Sequence, residues 1–348
     1  MRLQTACKAQ PHRWHGLRLL AADKTTLALP ESQSLWKCFG AHKGQQGVGP
    51  IAVELCCLFD LISRAPLQFI YGKVCSSEHK LIDKLIKALK KGDLLLLDSG
   101  FYFCATFFKI LRRHAHFLIP SKKNMRPKVL RTLGQGDYLC QIKDSYDHST
   151  LTVRVVFVYR NGFRRRRLVT SLLDSILFPA SELARLYHMR WDIETFYRDF
   201  KHTLRATSWH CKTPTTFHQE LLVHMIVICL IRIAMLEAGR LANLSVARLS
   251  FARALTETRL FFKRLLSSAE KIPWDSFWAA FISCCARHPI KFKPDRQFPR
   301  NKQQYRRKSR GLERLPNGRK PIAAKAASTS SSSPETLKNI KGELYLLS

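Results

Sequence analysis

Six side chains have the types and spacing to do chemistry on a phosphate chain. Tyr187, Arg190, Glu194 and Lys201 are separated by three, four and seven residues. On a helix of 3.6 residues per turn they keep returning to one face. That face carries an acid, two cations and a phenol. The opposite stripe, Leu186, Ile193, Phe196 and Phe200, is apolar and predicts a core-facing side. The other two residues are acids, Asp23 and Asp98, each read as closing a strand. Each observation has a bland alternative: a solvated helix face for the first, a helix or turn cap for either Asp. Taken together, two Asp from sheet ends and a Glu from a nearby helix can hold two Mg²⁺ about 4 Å apart, activate a water and stabilise a leaving oxygen in phosphodiester cleavage. Oxygen ligands and substrate phosphates are what Mg²⁺ prefers.

The elements that must position these groups are legible nearby. Residues 17–29 read as a buried strand running into Asp23, then a second short strand. Residues 48–59 and 66–75 are β-branched and aromatic enough to be strands. Ser76-Ser-Glu78 starts a helix whose apolar positions are Leu81, Ile82, Leu85, Ile86 and Leu89. Asp93-Leu-Leu-Leu-Leu-Asp98-Ser-Gly100 reads as a strand buried on both faces that ends at Asp98. Alternating strands and helices predict a mixed α/β layer, in which functional groups gather at the carboxyl ends of central strands.

Residues 115–180 read as a β-rich insertion, with strands at His116–Pro120, Asp137–Ile142, Leu151–Tyr159 and Leu168–Leu172 and a hairpin turn at Asn161-Gly162. The Arg164–Arg167 run is either a guard on an exposed strand edge or a phosphate contact. From Ser181 the chain reads as helical, with helices over Phe217–Gly239, Val246–Ser267 and Trp274–Arg287. The expected organisation is a short N-terminal remnant (1–16), a core from 17–114 and 181–215, the insertion, C-terminal helices (216–287) and a basic, low-complexity tail (288–348) that stays disordered until DNA binds. In residues 287–325 there are 14 Lys and Arg against Asp295 and Glu313, a surplus of 12.

Composition narrows the partner. The 348 residues carry 59 Lys and Arg against 25 Asp and Glu, a formal charge of +34. That excess implies a polyanion, with nucleic acid ahead of an anionic membrane surface. No segment reads as a membrane span: the most apolar run, Leu221–Leu236, is interrupted by His224 and Arg232, falls short of the roughly 20 residues a bilayer needs, and predicts a buried helix. No apolar h-region marks the start as a signal peptide. The 11 cysteines include no CxxC pair, so His210-Cys211 reads as structural and the thiols as reduced and cytosolic. There is no internal repeat, P-loop or GxGxxG pattern.

The spacing Tyr187-x2-Arg190-x3-Glu194-x6-Lys201 resembles the Y-R-E-K signature of the DDE transposases of the insertion sequence 4 family. Asp23-Lys-Thr-Thr-Leu-Ala-Leu-Pro is similar to that family's D-G-T-T-x-x-x-P segment, and Asp93-Leu-Leu-Leu-Leu-Asp98-Ser-Gly-Phe to the segment around its second Asp. Phe39-Gly40, Pro50 and Arg296–Arg300 also fit, so the resemblance covers roughly residues 17–310. It implies an RNase H-like catalytic core, a mixed sheet flanked by helices, with a β-rich insertion and a C-terminal helical, basic region. It implies two Mg²⁺, replaceable by Mn²⁺, on Asp23, Asp98 and Glu194, with Tyr187, Arg190 and Lys201 on transposon-end DNA. The reaction implied is cleavage at element ends followed by attack of the freed 3′-hydroxyl on target DNA. The resemblance also implies a homodimer on double-stranded DNA in a bacterial, nucleoid-associated, cytoplasmic setting.

Lys24 stands where the family often has Gly, which places a cation beside Asp23 that weakens Mg²⁺ binding by repulsion or touches phosphate. Ser99 stands where the family often has Arg or Ala. Only 22 residues precede Asp23, where family members carry a long end-recognition region, so the expectation is an N-terminally truncated copy. The alternative function is a catalytically idle, DNA-binding remnant.

Overall fold

A computed structural model of the chain describes residues 13–44, 47–74, 78–122, 124–144, 148–159, 165–267, 273–287 and 289–290. The Asn161-Gly162 turn, Arg164, Arg296–Arg300 and nearly all of the basic tail lie outside these residues.

Ten strands form one sheet. The core part is arranged about β1 (Arg18–Ala28), the third strand from one end of that sheet. On one side it pairs antiparallel with β3 (Gly47–Asp60), with Asp23 opposite Cys57. The far edge of the long β3 is shared by β2 (Ala41–Gly44) and β4 (Ala65–Lys73). On its other side β1 pairs in parallel with β5 (Asp93–Leu96), which pairs in parallel with β6 (His116–Pro120). The mixed order β4-β3-β1-β5-β6, flanked by helices, is the architecture the resemblance implies. His116–Pro120, assigned from sequence to the insertion, is thus a strand of this central set. The insertion strands β7 (Lys128–Gly134), β8 (Asp137–Lys143), β9 (Thr150–Val158) and β10 (Arg166–Thr170) extend the same sheet in the order β6-β10-β9-β8-β7.

Strand alternation divides the apolar side chains between two cores. Leu19, Ala21, Leu94 and Leu96 face one; Leu20, Ala22, Leu95 and Leu97 face the other. This is the double burial that the leucine run predicts. The second core is closed by α2 (Glu78–Ile86) and α3 (Cys104–Arg112), through Leu81, Ile82, Leu85, Phe107 and Ile110. The first is closed by α1 (Gln33–Phe39), α4 (Ala180–His188), α5 (Trp191–Arg198) and α6 (Pro214–Leu241), with α7 (Phe251–Ser267) and α8 (Trp274–Ala286) packed on α6.

Three sequence expectations need correction. Residues 18–28 are one continuous strand, so Asp23 lies mid-strand. The pairing with β3 continues to Ala28 and carries the chain past Asp23 without a break. The Y-R-E-K stretch is three pieces: α4, then α5 after a tightened junction at Met189-Arg190, then a π turn at Asp199–Thr203. Of the Arg164–Arg167 run, Arg166 and Arg167 open β10 and pair with β9, and the ladder to β6 begins at Leu168. The apolar helix is 28 residues long, enough in length and hydropathy to cross a bilayer, because the Thr213–Thr216 capping box and Pro214 start it well before the apolar run. Half of its apolar window is buried in this fold, including Leu221, Met225, Ile228 and Arg232. No disulfide joins any two of the nine described cysteines.

Candidate active site

The acids meet because of a register. Ala21 pairs with Leu96, and the same parallel alignment continued two residues sets Asp98 level with Asp23 on the same side of the sheet. There β5 has ended at Leu96 while β1 runs on to Ala28. Asp98 starts the 3-10 turn Ser99–Phe101, yet its carboxylate makes no capping bond, so the bland reading of this Asp does not hold. Glu194 comes from α5, whose Ile193 and Phe196, continued by Phe200 on the π turn that follows, form a stripe fully buried in the first core. That stripe turns Glu194 back toward Asp23.

Burial pushes the Asp23 carboxyl up to about 6; the Lys24 amide and Arg190 oppose the rise, while Glu194 and Asp98 add to it. The three acids therefore share one electrostatic neighbourhood. Arg190 lies at its centre. One guanidinium nitrogen is 2.8 Å from Glu194, another is 3.4 Å from Asp23, and Nε is buried without a hydrogen-bond partner. Among the described residues no three His, Cys, Asp or Glu side chains are grouped to hold a metal ion as they stand.

Tyr187 is buried and its hydroxyl donates to the Leu97 carbonyl at 3.1 Å, just before Asp98. Lys201 is on the π turn. Its ammonium donates to the Thr26 carbonyl at 2.8 Å, and burial lowers its pKa. A π turn adds a residue to a helical turn and often marks a functional site; here it carries Lys201 to the end of β1. Lys24 projects to the other face of β1 and pairs with the buried Glu54 at 3.1 Å, so its charge is directed away from the Asp23 carboxylate.

Sequence reading missed several supporting groups. Tyr197 donates to the Asp23 carbonyl at 2.6 Å and accepts from the Cys57 amide at 3.1 Å, fixing the backbone at Asp23. Arg64 pairs with Asp192, and Arg232 with Asp199, which anchors both ends of the α5 segment from beneath. The available signal was Arg232 itself, a lone cation in an apolar run. Nothing in the sequence marked Tyr197 apart from its neighbours.

A family model described as a transposase DDE domain matches residues 14–230. The chain is 30% identical over 262 residues to the transposase InsG for insertion sequence element IS4 of Escherichia coli (strain K12), covering 71% of this chain and 59% of that one. It is 26% identical to the "Probable transposase for insertion sequence element IS5377" of Geobacillus stearothermophilus, over 54% of this chain and 49% of that one. The chain thus spans about half to three fifths of the length of these relatives. A cryo-EM structure of the piggyBac transposase synaptic complex with hairpin DNA aligns over 80% of this chain and 60% of that one, with a TM-score of 0.41 and 10% identity, too distant to bear on the fold or the site. With well over half of its length matched by the family model, this chain belongs to the transposase DDE-domain family.

Proposed function

We propose that this chain is the catalytic core of a transposase that cleaves duplex DNA at insertion-sequence ends and joins the freed 3′-hydroxyl to target DNA. The observation that carries this reading is the convergence of Asp23, Asp98, Glu194 and Arg190 from three distant segments into one electrostatic site. A DDE domain implies a divalent metal in general terms. The donor set fits one: all three side chains offer oxygen, and burial, which raises the pKa of Asp23, makes its charged form costly to hold without a nearby cation. Asp23, Asp98 and Glu194 would hold Mg²⁺, as two ions, with Mn²⁺ able to substitute. Bound there, the metal supplies activation of a water and stabilisation of the leaving oxygen.

The remaining residues hold and orient. Arg190 holds Asp23 and Glu194 together, and we assign its spare Nε–H to a phosphate oxygen. Lys201 is the second phosphate contact. The Tyr187 hydroxyl is committed to the Leu97 carbonyl, so we propose that it positions Asp98 in place of the direct DNA contact the resemblance implied. Tyr197 does the same for Asp23. A homodimer would bring two element ends together.

The test is nicking of DNA carrying the flanking element ends, with Mg²⁺ or Mn²⁺, by this chain and by Glu194→Ala and Asp98→Asn. Cleavage that needs metal and both acids is expected; cleavage that survives both changes would overturn the site. One observation favours a second reading, an idle DNA-binding remnant: Arg190 lies against two of the three acids. Salt-sensitive duplex binding without cleavage, at any concentration of either metal, would select it.

A further inference from the structure

The Arg164–Arg167 run leads into β10, and its sequence alone suits an edge guard and a phosphate contact equally. The pleat separates its described members, because successive side chains of a strand leave opposite faces. Arg167 falls on the face of Val169, which lies in the second core, and Arg166 on the face of Leu168, which lies in the first. Arg167 donates to the carbonyls of Met125 and Lys122, both at 3.1 Å. Arg165 also turns to the second-core side, with its guanidinium 3.8 Å from the ring centroid of Phe157 and 4.6 Å from that of Tyr159. These two arginines are spent on bracing the strand, one against the loop after β6 and the other against β9. Arg166 is different. It is exposed, and it makes no hydrogen bond or ion pair among the described residues. Val158, its partner on β9, packs on the first core.

Register says where Arg166 stands. Leu96 of β5 pairs with Leu118 of β6, and the same alignment continued two residues sets Pro120 level with Asp98. Pro120 is paired with Leu168 of β10. Arg166 is therefore two strands across from Asp98 and two residues further out, roughly 10 Å and about 7 Å by ordinary strand spacing. It leaves the sheet on the face that Asp23 and Asp98 share. Tyr187 feels its charge: burial raises the phenol pKa, and Arg166 stands with Arg190 among the groups that oppose the rise. The Tyr187 hydroxyl is the one bonded to the Leu97 carbonyl, next to Asp98. A DNA strand held with one phosphate at the acids carries further phosphates within this distance, and an arginine fork matches two phosphate oxygens.

We propose that Arg166 is the insertion's own DNA contact, gripping a backbone phosphate close to the one held at Asp23, Asp98 and Glu194. Arg165 and Arg167 brace its strand from the opposite face and touch no DNA. The proposal rests on the transposase reading for its choice of DNA.

The experiment uses the full chain and a fluorescent duplex carrying the flanking element ends, with binding followed by anisotropy from about 50 to about 200 mM salt. One lost phosphate contact lowers the slope of log affinity against log salt by about 0.9, so Arg166→Gln should show a slope shallower by that amount and bind roughly tenfold more weakly at about 0.1 M salt. Arg166→Lys keeps the charge and should keep the wild-type slope. Arg165→Gln removes the same charge from the other face and should leave the slope unchanged. An unchanged slope in Arg166→Gln, an equal loss in Arg165→Gln, or no recovery in Arg166→Lys would overturn the proposal. Replacing single phosphates by neutral methylphosphonates then locates the contact. At one position near the cleaved bond the replacement should weaken wild type and leave Arg166→Gln no weaker than before; the same sensitive positions in both proteins would also overturn it. Metal-dependent nicking by wild type is scored separately. If wild type nicks DNA and Arg166→Gln matches its slope, only this contact fails; if wild type neither binds nor nicks DNA, the transposase reading falls with it.

Discussion

Arg154 and Arg190 are both buried arginines beside carboxylates, and they are built to different ends. Arg154, on β9, is fully enclosed, and every guanidinium nitrogen is used: two bond Asp137 side-on at 2.8 and 2.6 Å, and the third reaches the carbonyls of Asp174 and Phe178. Arg190 touches its two acids with one good contact and one long one, and keeps a buried Nε–H unpaired. A buried charge with every bond made is a structural fixture whose partners are fixed along with it. A buried charge with unspent donors is held at a cost in free energy, and such places are where a fold keeps capacity for a ligand. The insertion thus spends every guanidinium nitrogen of its arginine on neighbours within the fold, and the core leaves one nitrogen of its own unspent.

The comparison can be broken or sharpened in order of expected effect. Arg190→Gln should reduce metal-dependent cleavage by roughly 10²–10³, the loss typical of one preorganised donor. The same variant should tighten Mg²⁺ binding measured by calorimetry, since the competing cation is gone; weaker Mg²⁺ binding would contradict the place given to Arg190. Arg154→Met should destabilise the fold by about 3–5 kcal/mol in urea titrations, because Asp137 is left buried and unpaired. The double change Arg154→Met, Asp137→Leu should recover much of that loss. If instead Arg190→Gln were the more destabilising of the two, their roles would be reversed. Its acids remain partly open to water, with side chains 20% and 42% exposed, so its stability cost should stay below about 1 kcal/mol.

A smaller effect follows from Asp23. Its folded pKa is raised from 3.8 to about 6, so the folded state holds a proton that the unfolded chain has released. In metal-free protein this contribution is present below pH 3.8 and is lost as pH rises to about 6, an effect of no more than about 3 kcal/mol. Asp23→Asn should flatten that part of a pH series of melting curves. An unchanged series would show that Asp23 is solvated.

Much of this site was legible before folding because its logic is periodic. The leucine run before Asp98 could only be a doubly buried strand, and the apolar stripe through Ile193, Phe196 and Phe200 could only turn Glu194 back along one side of its helix. Local spacing sets which way a side chain points, and that survives into any fold. Spacing could not reveal the parallel register that levels Asp23 with Asp98, nor that β1 passes Asp23 unbroken, because strand partners are chosen by residues far along the chain. Lys24 shows the same limit in a single residue: the sequence places its charge beside Asp23, while the pleat sends it through the sheet to Glu54. The sequence by itself determined the acids, the cations and the elements that carry them. Only the tertiary structure decided which donors are spent and which are spare, as with Arg154 and Arg190, because hydrogen bonds are completed by partners that packing, not chain order, brings within reach.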